Sequence, residues 1–187
     1  MISQSDRVRS QLLVLQYRRG DDEAIRELVA LWEKPLFYYI RRLVKTEEDA
    51  WDAQQAAWIR VIRGIEKLKN LDSFPSWLYR IARNAAINYT RDNSRFESHS
   101  DEEMNHAVAD TGEEQCFTVA DAEAIHWGLQ QLPAAQREVL TLFFLEEFSL
   151  KEISSITSVP IGTVKSRLYY AKKALQGMMK KEGGGYE

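Results

Sequence analysis

Apolar residues recur at helical spacing in two blocks of the chain, and a polar stretch without that spacing lies between them. In the first block they fall at Ile25, Leu28, Val29 and Trp32, and after Pro35 the pattern restarts at Leu36, Tyr39, Ile40, Leu43 and Val44. Two further sets follow: Ala57, Trp58, Val61, Ile62 and Ile65, then Phe74, Trp77, Leu78, Ile81, Ala82 and Ala85. Steps of three and four place each set on one helix face, whereas a strand would alternate. Four helices are the economical reading, the last capped by Asp72 or Ser73 with Pro75 in its first turn.

The second block has Ile125, Leu129 and Leu132, then Val139, Leu140, Phe143 and Phe144, then Leu150, Ile153 and Ile156, and finally Val164, Leu168, Ala171, Leu175 and Met178. It reads as about four more helices. Between the blocks, residues 93 to about 120 are rich in Ser, Asp, Glu, Asn and Gly, the composition of a flexible linker. The expected fold is therefore all-α, with two small helical domains (1–95 and 123–181), a flexible acidic linker (96–122) and a disordered tail (182–187).

Charge sharpens this division. The net charge of -3 over 187 residues averages three unlike segments. Residues 1–95 carry 17 Lys or Arg against 13 acids, residues 96–136 carry none against nine, and residues 137–187 carry eight against six. Two mildly basic blocks flank an acidic connector. No apolar run approaches the roughly 18 residues of a membrane span, and the N-terminus has no apolar core after its charges, so a cytoplasmic protein is expected. The single Cys116 has no disulfide partner, and His99, His106 and His126 lack ligand spacing, so neither metal nor cofactor is expected.

From Gly162 to Lys181 there are six Lys or Arg and no Asp or Glu. On a helical wheel, Val164, Leu168, Ala171, Leu175 and Met178 form a stripe for a core. Opposite lie Gly162, Ser166, Tyr169, Tyr170 and Lys173, with Lys165 and Lys172 on one flank and Thr163 and Arg167 nearer the other. A short helix (150–157) and a tight connection at Ser158, Val159 and Pro160 precede it, the arrangement of a helix-turn-helix. Such a second helix enters a major groove with its N-terminal residues, while flanking cations neutralise phosphates. A solvated face also accommodates six cations. The absence of acids and the two outward tyrosines favour a nucleic-acid contact.

A second such surface lies in LYRIARNAAINYTRDNSR, residues 78–95. Opposite its apolar stripe the wheel places Arg80, Arg83, Ile87 and Arg91, with Asn84 and Asn88 on a flank. Arginines with amides and an outward apolar residue suit unstacked bases better than a phosphate clamp. Two basic helices in separate domains suggest two stretches of one nucleic acid.

These segments resemble the extracytoplasmic-function sigma factors of bacterial RNA polymerase. FPSWLYRIARNAAINYTR resembles the family's helix that melts and reads the minus-ten promoter element. The segment from LPAAQREVL through IGTVKSRLYYAKKAL resembles the domain that reads the minus-thirty-five element, and RRGDDEAIRELVALWEKPLFYYIRRL is similar to the family's opening helices. The resemblance puts minus-thirty-five contacts on Lys165, Ser166, Tyr169 and Tyr170, on the face already found. It puts minus-ten contacts on the Arg80–Asn88 helix and on a preceding loop, Lys67, Lys69, Asn70 and Leu71, that pockets a flipped base. It implies core polymerase as partner, through its clamp and flap regions, together with promoter DNA and an anti-sigma factor. The clamp would meet DAWDAQQAAWIRVIR through Asp49, Trp51, Asp52, Gln55 and Trp58.

The sequence departs from the family pattern in three places. Trp51 and Ala56 stand where relatives usually have glutamates, shifting the clamp contact toward Trp51 and Trp58. Ser158 stands where Gly is common in the turn; a left-handed Ser costs on the order of 1 kcal/mol. Tyr170 stands where relatives can carry Arg; bidentate guanine readout is then absent, which implies a different promoter motif. The acidic linker would correspond to a segment threading polymerase channels built for nucleic acid, as an electrostatic mimic.

Two other functions compete. A stand-alone helix-turn-helix regulator, with a sensing or dimerising first domain, would bind duplex tightly without polymerase. A nucleic-acid enzyme would need clustered carboxylates or a nucleophile with a base, and Glu146 and Glu147 diverge on a helix.

Overall fold

The computed structural model describes residues 3–89, Leu129 and 131–182, without the side chains of Tyr89 and of 179–182. The expected acidic linker, Arg91 and residues 183–187 of the tail lie outside the described residues.

Every regular element among the described residues is helical. The first unit holds α1 (Gln4–Arg18), α2 (Asp22–Arg41), α3 (Glu47–Gly64) and α4 (Phe74–Tyr89), with two 3-10 turns, Ile65–Lys67 and Leu71–Ser73, before α4. The second holds α5 (Ala134–Leu140), which runs into one wide π turn (Thr141–Leu145), then α6 (Leu150–Thr157) and α7 (Ile161–Glu182). Side-chain caps start the chain's helices where the sequence supplies them. Ser3 and Asp6 close a capping box on α1, Ser149 and Glu152 close one on α6, and Asp21 and Thr46 cap α2 and α3.

The first unit has four helices, as expected, but divided differently. Pro35 does not separate two of them: α2 runs through it. An interior proline costs about 3 kcal/mol, and here the fully buried Trp32, Leu36, Tyr39 and Ile40 anchor the helix on both sides of it. Nearby, Gln54 Nε2 reaches across from α3 to donate to the Glu33 carbonyl at 2.7 Å. The fourth helix is instead α1, which buries Leu13 and Val14 but leaves Val8, Leu12 and Leu15 exposed. Its apolar residues ring the helix, so no single stripe announces it.

The core is built on aromatic rings. Trp32 donates its indole N–H to Ser10 Oγ at 2.8 Å and meets Phe74 and Tyr79 edge-on, each at 6.1 Å. Tyr79 also packs on Tyr39 and on Phe148 of the second unit, each at 4.9 Å. One apolar cluster thus runs from Leu13 to Leu168 across both units, with α4 packed on α6. A smaller cluster of Leu129, Leu132, Leu140, Ala171 and Leu175 holds α5 to α7.

Polar groups line the same seam. Glu138 Oε1 accepts from the Tyr39 hydroxyl and from Arg83 Nε, both at 2.8 Å, and Glu146 Oε2 accepts from the Tyr79 hydroxyl at 2.7 Å. Arg7 Nη1 donates to Glu152 Oε1 at 2.7 Å while its guanidinium lies 5.1 Å from the Phe148 ring centre. Four side chains of the first unit are therefore satisfied by three acids of the second.

Candidate nucleic-acid interface

The helix-turn-helix forms where expected. Ser158 ends α6 in the left-handed conformation (φ 58°, ψ 35°), and Ser154 Oγ donates to the Val159 carbonyl at 2.6 Å to hold the turn. Val164, Leu168, Ala171 and Leu175 are buried, as their stripe requires. On the other side Lys165, Tyr169 and Lys173 are exposed and Tyr170 is half-buried, its ring edge-on to Tyr169 at 5.3 Å.

Four of the expected contact residues on α7 are less open than the wheel places them. Ser166 and Arg167 are buried, at 6% and 8% exposure, and Thr163 and Lys172 are half-buried. Helical side chains lean toward the N-terminus, so Tyr169 and Tyr170, one turn on, cover Ser166. Its hydroxyl turns back to the Thr163 carbonyl at 3.0 Å. Arg167 falls inside an arc that is wider than the apolar stripe, because α7 packs on α5 and α6 together. Lys172 lies over Phe143 and Phe144, 5.6 and 5.1 Å from their ring centres, which holds its ammonium against the domain.

On α4, Arg80, Asn84 and Asn88 are exposed and share a flank. Arg83 and Ile87, expected on an open face, are half-buried, because the second unit packs on this helix. The Arg83 charge is held at Glu138. Burial alone would depress the guanidinium pKa, and the adjacent carboxylate more than offsets that, leaving it raised. Before α4, Lys67, Lys69 and Asn70 are exposed and Leu71 is half-buried. Gly64, which precedes this loop, has no room for a side chain to spare: a Cβ there would sit 3.1 Å from the Trp77 ring.

The face of α3 is also revised. Asp52 and Gln55 are exposed, Asp49 is half-buried and Trp51 is 44% exposed. Trp58 is a core residue, only 8% exposed. Its position follows from Ala50, Ala53, Ala57 and Val61, which share its buried side of the helix. Ile59 and Ile62 are the exposed ones, at 50% and 41%, and Ile62 had been expected inside. With Trp51 and Gln55 they form a stripe at steps of four, four and three. Phe37 stacks on Trp51 at 4.2 Å and Tyr38 stands out beside it at 59% exposure. An apolar patch of this kind on a soluble domain marks a protein-binding face. Sequence reasoning missed Phe37, Tyr38, Ile59 and Ile62, because periodicity places residues on a helix face without saying which neighbour covers it.

Glu146 and Glu152 respond oppositely to the seam. Burial raises the Glu146 pKa, and the hydrogen bond from Tyr79 and the Arg42 charge only partly counter it. Burial also pushes Glu152 up, but hydrogen bonds from Arg7 and Ser149 outweigh it and hold its carboxyl below the usual range. Burial, with the neighbouring carboxylates, raises the Tyr39 and Tyr79 hydroxyls well above the ordinary tyrosine value, so both remain donors. Among the described residues no group of three or more His, Cys, Asp or Glu is placed to hold a metal ion, and no helix is long and apolar enough to cross a membrane.

A two-unit helical protein with a left-handed serine turn before a cationic, tyrosine-bearing helix is a DNA-reading architecture. Known proteins carry the same one. Residues 28–96 match sigma-70 region 2 and residues 123–175 match sigma-70 region 4. The RNA polymerase sigma-H factor of Pseudomonas aeruginosa is 33% identical over 175 residues, 88% of this chain and 91% of the relative. The ECF RNA polymerase sigma factor SigW of Bacillus subtilis is 28% identical over 178 residues, 89% and 95% of the two chains. Among solved structures, CnrH in complex with the cytosolic domain of CnrY superposes with a TM-score of 0.65 at 20% identity, over 92% of this chain and 98% of that one. RpoE in complex with the anti-sigma factor NepR from Bartonella quintana does so at 0.61 and 24% identity, over 83% and 96%. The chain belongs to the sigma-70 family, in its extracytoplasmic-function group: it is an RNA polymerase sigma factor.

Proposed function

We propose that the chain joins core polymerase through the α3 face, reads an upstream promoter element with α7 and captures an unpaired downstream strand with α4 and the loop before it. It serves as a non-covalent specificity subunit in the cytoplasm, with residues 1–95 and 123–181 as its two working domains. The turn at Ser158, presenting Lys165, Tyr169, Tyr170 and Lys173, carries this reading most heavily. Lys165 and Lys173 supply salt-sensitive phosphate affinity, and the tyrosine pair contacts base edges and thymine methyls. On α4, Asn84 and Asn88 offer amides to base edges and Arg80 a charge to the backbone.

The packed arrangement adds a condition. Arg83 reaches DNA only when it leaves Glu138 on α5, so promoter engagement requires the seam between the two units to part. A partner of the anti-sigma type would act in the opposite direction, keeping the seam closed and covering the apolar α3 face. RpoE was solved with the anti-sigma factor NepR, and CnrH with the cytosolic domain of CnrY.

Transcription with bacterial core polymerase on a random promoter library tests the proposal. Core plus this chain should enrich two spaced elements, and the chain without core should enrich none. Tight duplex selection by the chain alone would point to a stand-alone regulator instead.

A further inference from the structure

We infer that α1 is a positioning element for the promoter-reading loop, with Arg18 and Gln11 holding residues 65–73 in the shape that receives an unpaired base. This rests on the proposed reading of that loop and adds to it the residues that form the pocket without touching DNA. The loop's own bonds are all local to its two turns. Phe74 N–H donates to the Leu71 carbonyl at the end of the second 3-10 turn, and each turn includes a backbone bond of 3.3 Å, Leu68 N–H to the Ile65 carbonyl and Ser73 N–H to the Asn70 carbonyl. That is beyond the usual N–H···O range of about 2.7–3.2 Å, and such turns are poorly aligned even when well formed.

The restraint from outside the loop comes from α1. Arg18 Nη2 donates to the Ile65 carbonyl at 2.6 Å and also to the Leu68 carbonyl, so one guanidinium nitrogen bridges both ends of the first turn. Gln11 Nε2 donates to Asp72 Oδ1 at 2.7 Å in the second turn. Positions 11 and 18 are seven apart, two helical turns, and the fully buried Val14 lies between them. One face of α1 therefore meets both ends of the loop. Asp72 N–H in turn donates to Asn70 Oδ1 at 3.0 Å, and Ser73 Oγ donates to the Asn70 carbonyl at 2.6 Å. Asn70 is fixed through neighbours that Gln11 holds, while Lys67 and Lys69 stay exposed. A binding loop held in this way avoids the ordering cost that a loose loop meets on capturing its ligand.

The test uses holoenzyme assembled from core polymerase and the full chain. Its probes are promoter forks, single-stranded over the downstream element, with each position varied through four bases. Leu71→Ala and Asn70→Ala first identify the position that the loop reads. Arg18→Met should then flatten base discrimination at that position by about tenfold, leaving core affinity and upstream discrimination unchanged, and Arg18→Lys should restore part of it. Gln11→Leu, at an exposed bond that folding does not depend on, should give a smaller loss at the same position. Equal weakening at every position, or discrimination unaltered in both the Arg18 and Gln11 variants, overturns the inference. If the two loop variants themselves alter no position, the pocket reading fails first; if they do and α1 is silent, only the inference fails.

Discussion

The α7 and α4 surfaces resemble each other as strings of letters, each a helix with cations and hydrogen-bonding groups opposite an apolar stripe, but the fold treats them differently. On α7 the reading side stands clear, with Lys165, Tyr169 and Lys173 exposed. On α4 the second unit covers part of that side, and Arg83 is bonded to a buried glutamate. Under the proposed reading, the upstream reader is thus ready in the packed state, and the downstream reader is only partly so. This fits the order of events a promoter demands, since duplex is captured before strands separate. It also means that cationic residues of similar appearance have different work: Lys165 and Lys173 face solvent, Lys172 lies on a phenylalanine pair, and Arg83 closes the seam.

The seam is where the comparison breaks most readily. Glu138 sits on α5, but the bonds it accepts from Tyr39 and Arg83 both come from the first unit, so Glu138→Ala weakens the packing between units and not the helix that bears it. Removing a buried acceptor from a charged donor costs about 2 kcal/mol. The separation of two dyes, one per unit, should increase in this variant, and strand capture by the holoenzyme on a fork probe should quicken. A smaller effect separates the lysines of α7. Lys165→Ala should lower the slope of log affinity against log salt by about 0.9 in duplex binding, and Lys172→Ala should leave it unchanged. The smallest is a pH effect. Because burial raises the folded-state pKa of Glu146, its contribution to closure is complete below the ordinary carboxylate pKa and is lost as pH rises through the raised value. Glu152, whose pKa is lowered, contributes above the ordinary value and loses that contribution as pH falls through the lowered one. In Glu146→Gln, which accepts the Tyr79 hydrogen bond without a charge, the dye separation should stop increasing with pH on the alkaline side of the carboxylate range.

Much of the architecture was legible because short-range rules govern it. The α6 limits, the turn and the α7 stripe followed from period and turn chemistry, and Ser158 takes the left-handed conformation whose cost the sequence reading had weighed. α1 escaped notice because its apolar residues ring the helix, and α2 was split because a proline usually breaks what tertiary packing here preserves. Site residues failed where burial depends on residues far away in the chain. Trp58 and Ile62 exchange expected roles according to which side of α3 meets the core. Arg83 and Glu138 are 55 residues apart, and no periodicity links them. The clasp of Arg18 on Ile65 and Leu68 has the same character, an arginine at a helix end that looks like an ordinary basic cap until the loop is seen against it.

Footprinting of the polymerase holoenzyme on a single promoter, with strand opening followed by permanganate, bears most directly on the claim that two surfaces read two elements. Tyr169→Ala should erase the upstream protection while an artificially melted template still retains its downstream contacts. Asn84→Ala should retain the upstream protection and lose the opened bases. Loss of both signals together in either variant, or the same footprint from the chain without core, would contradict the account.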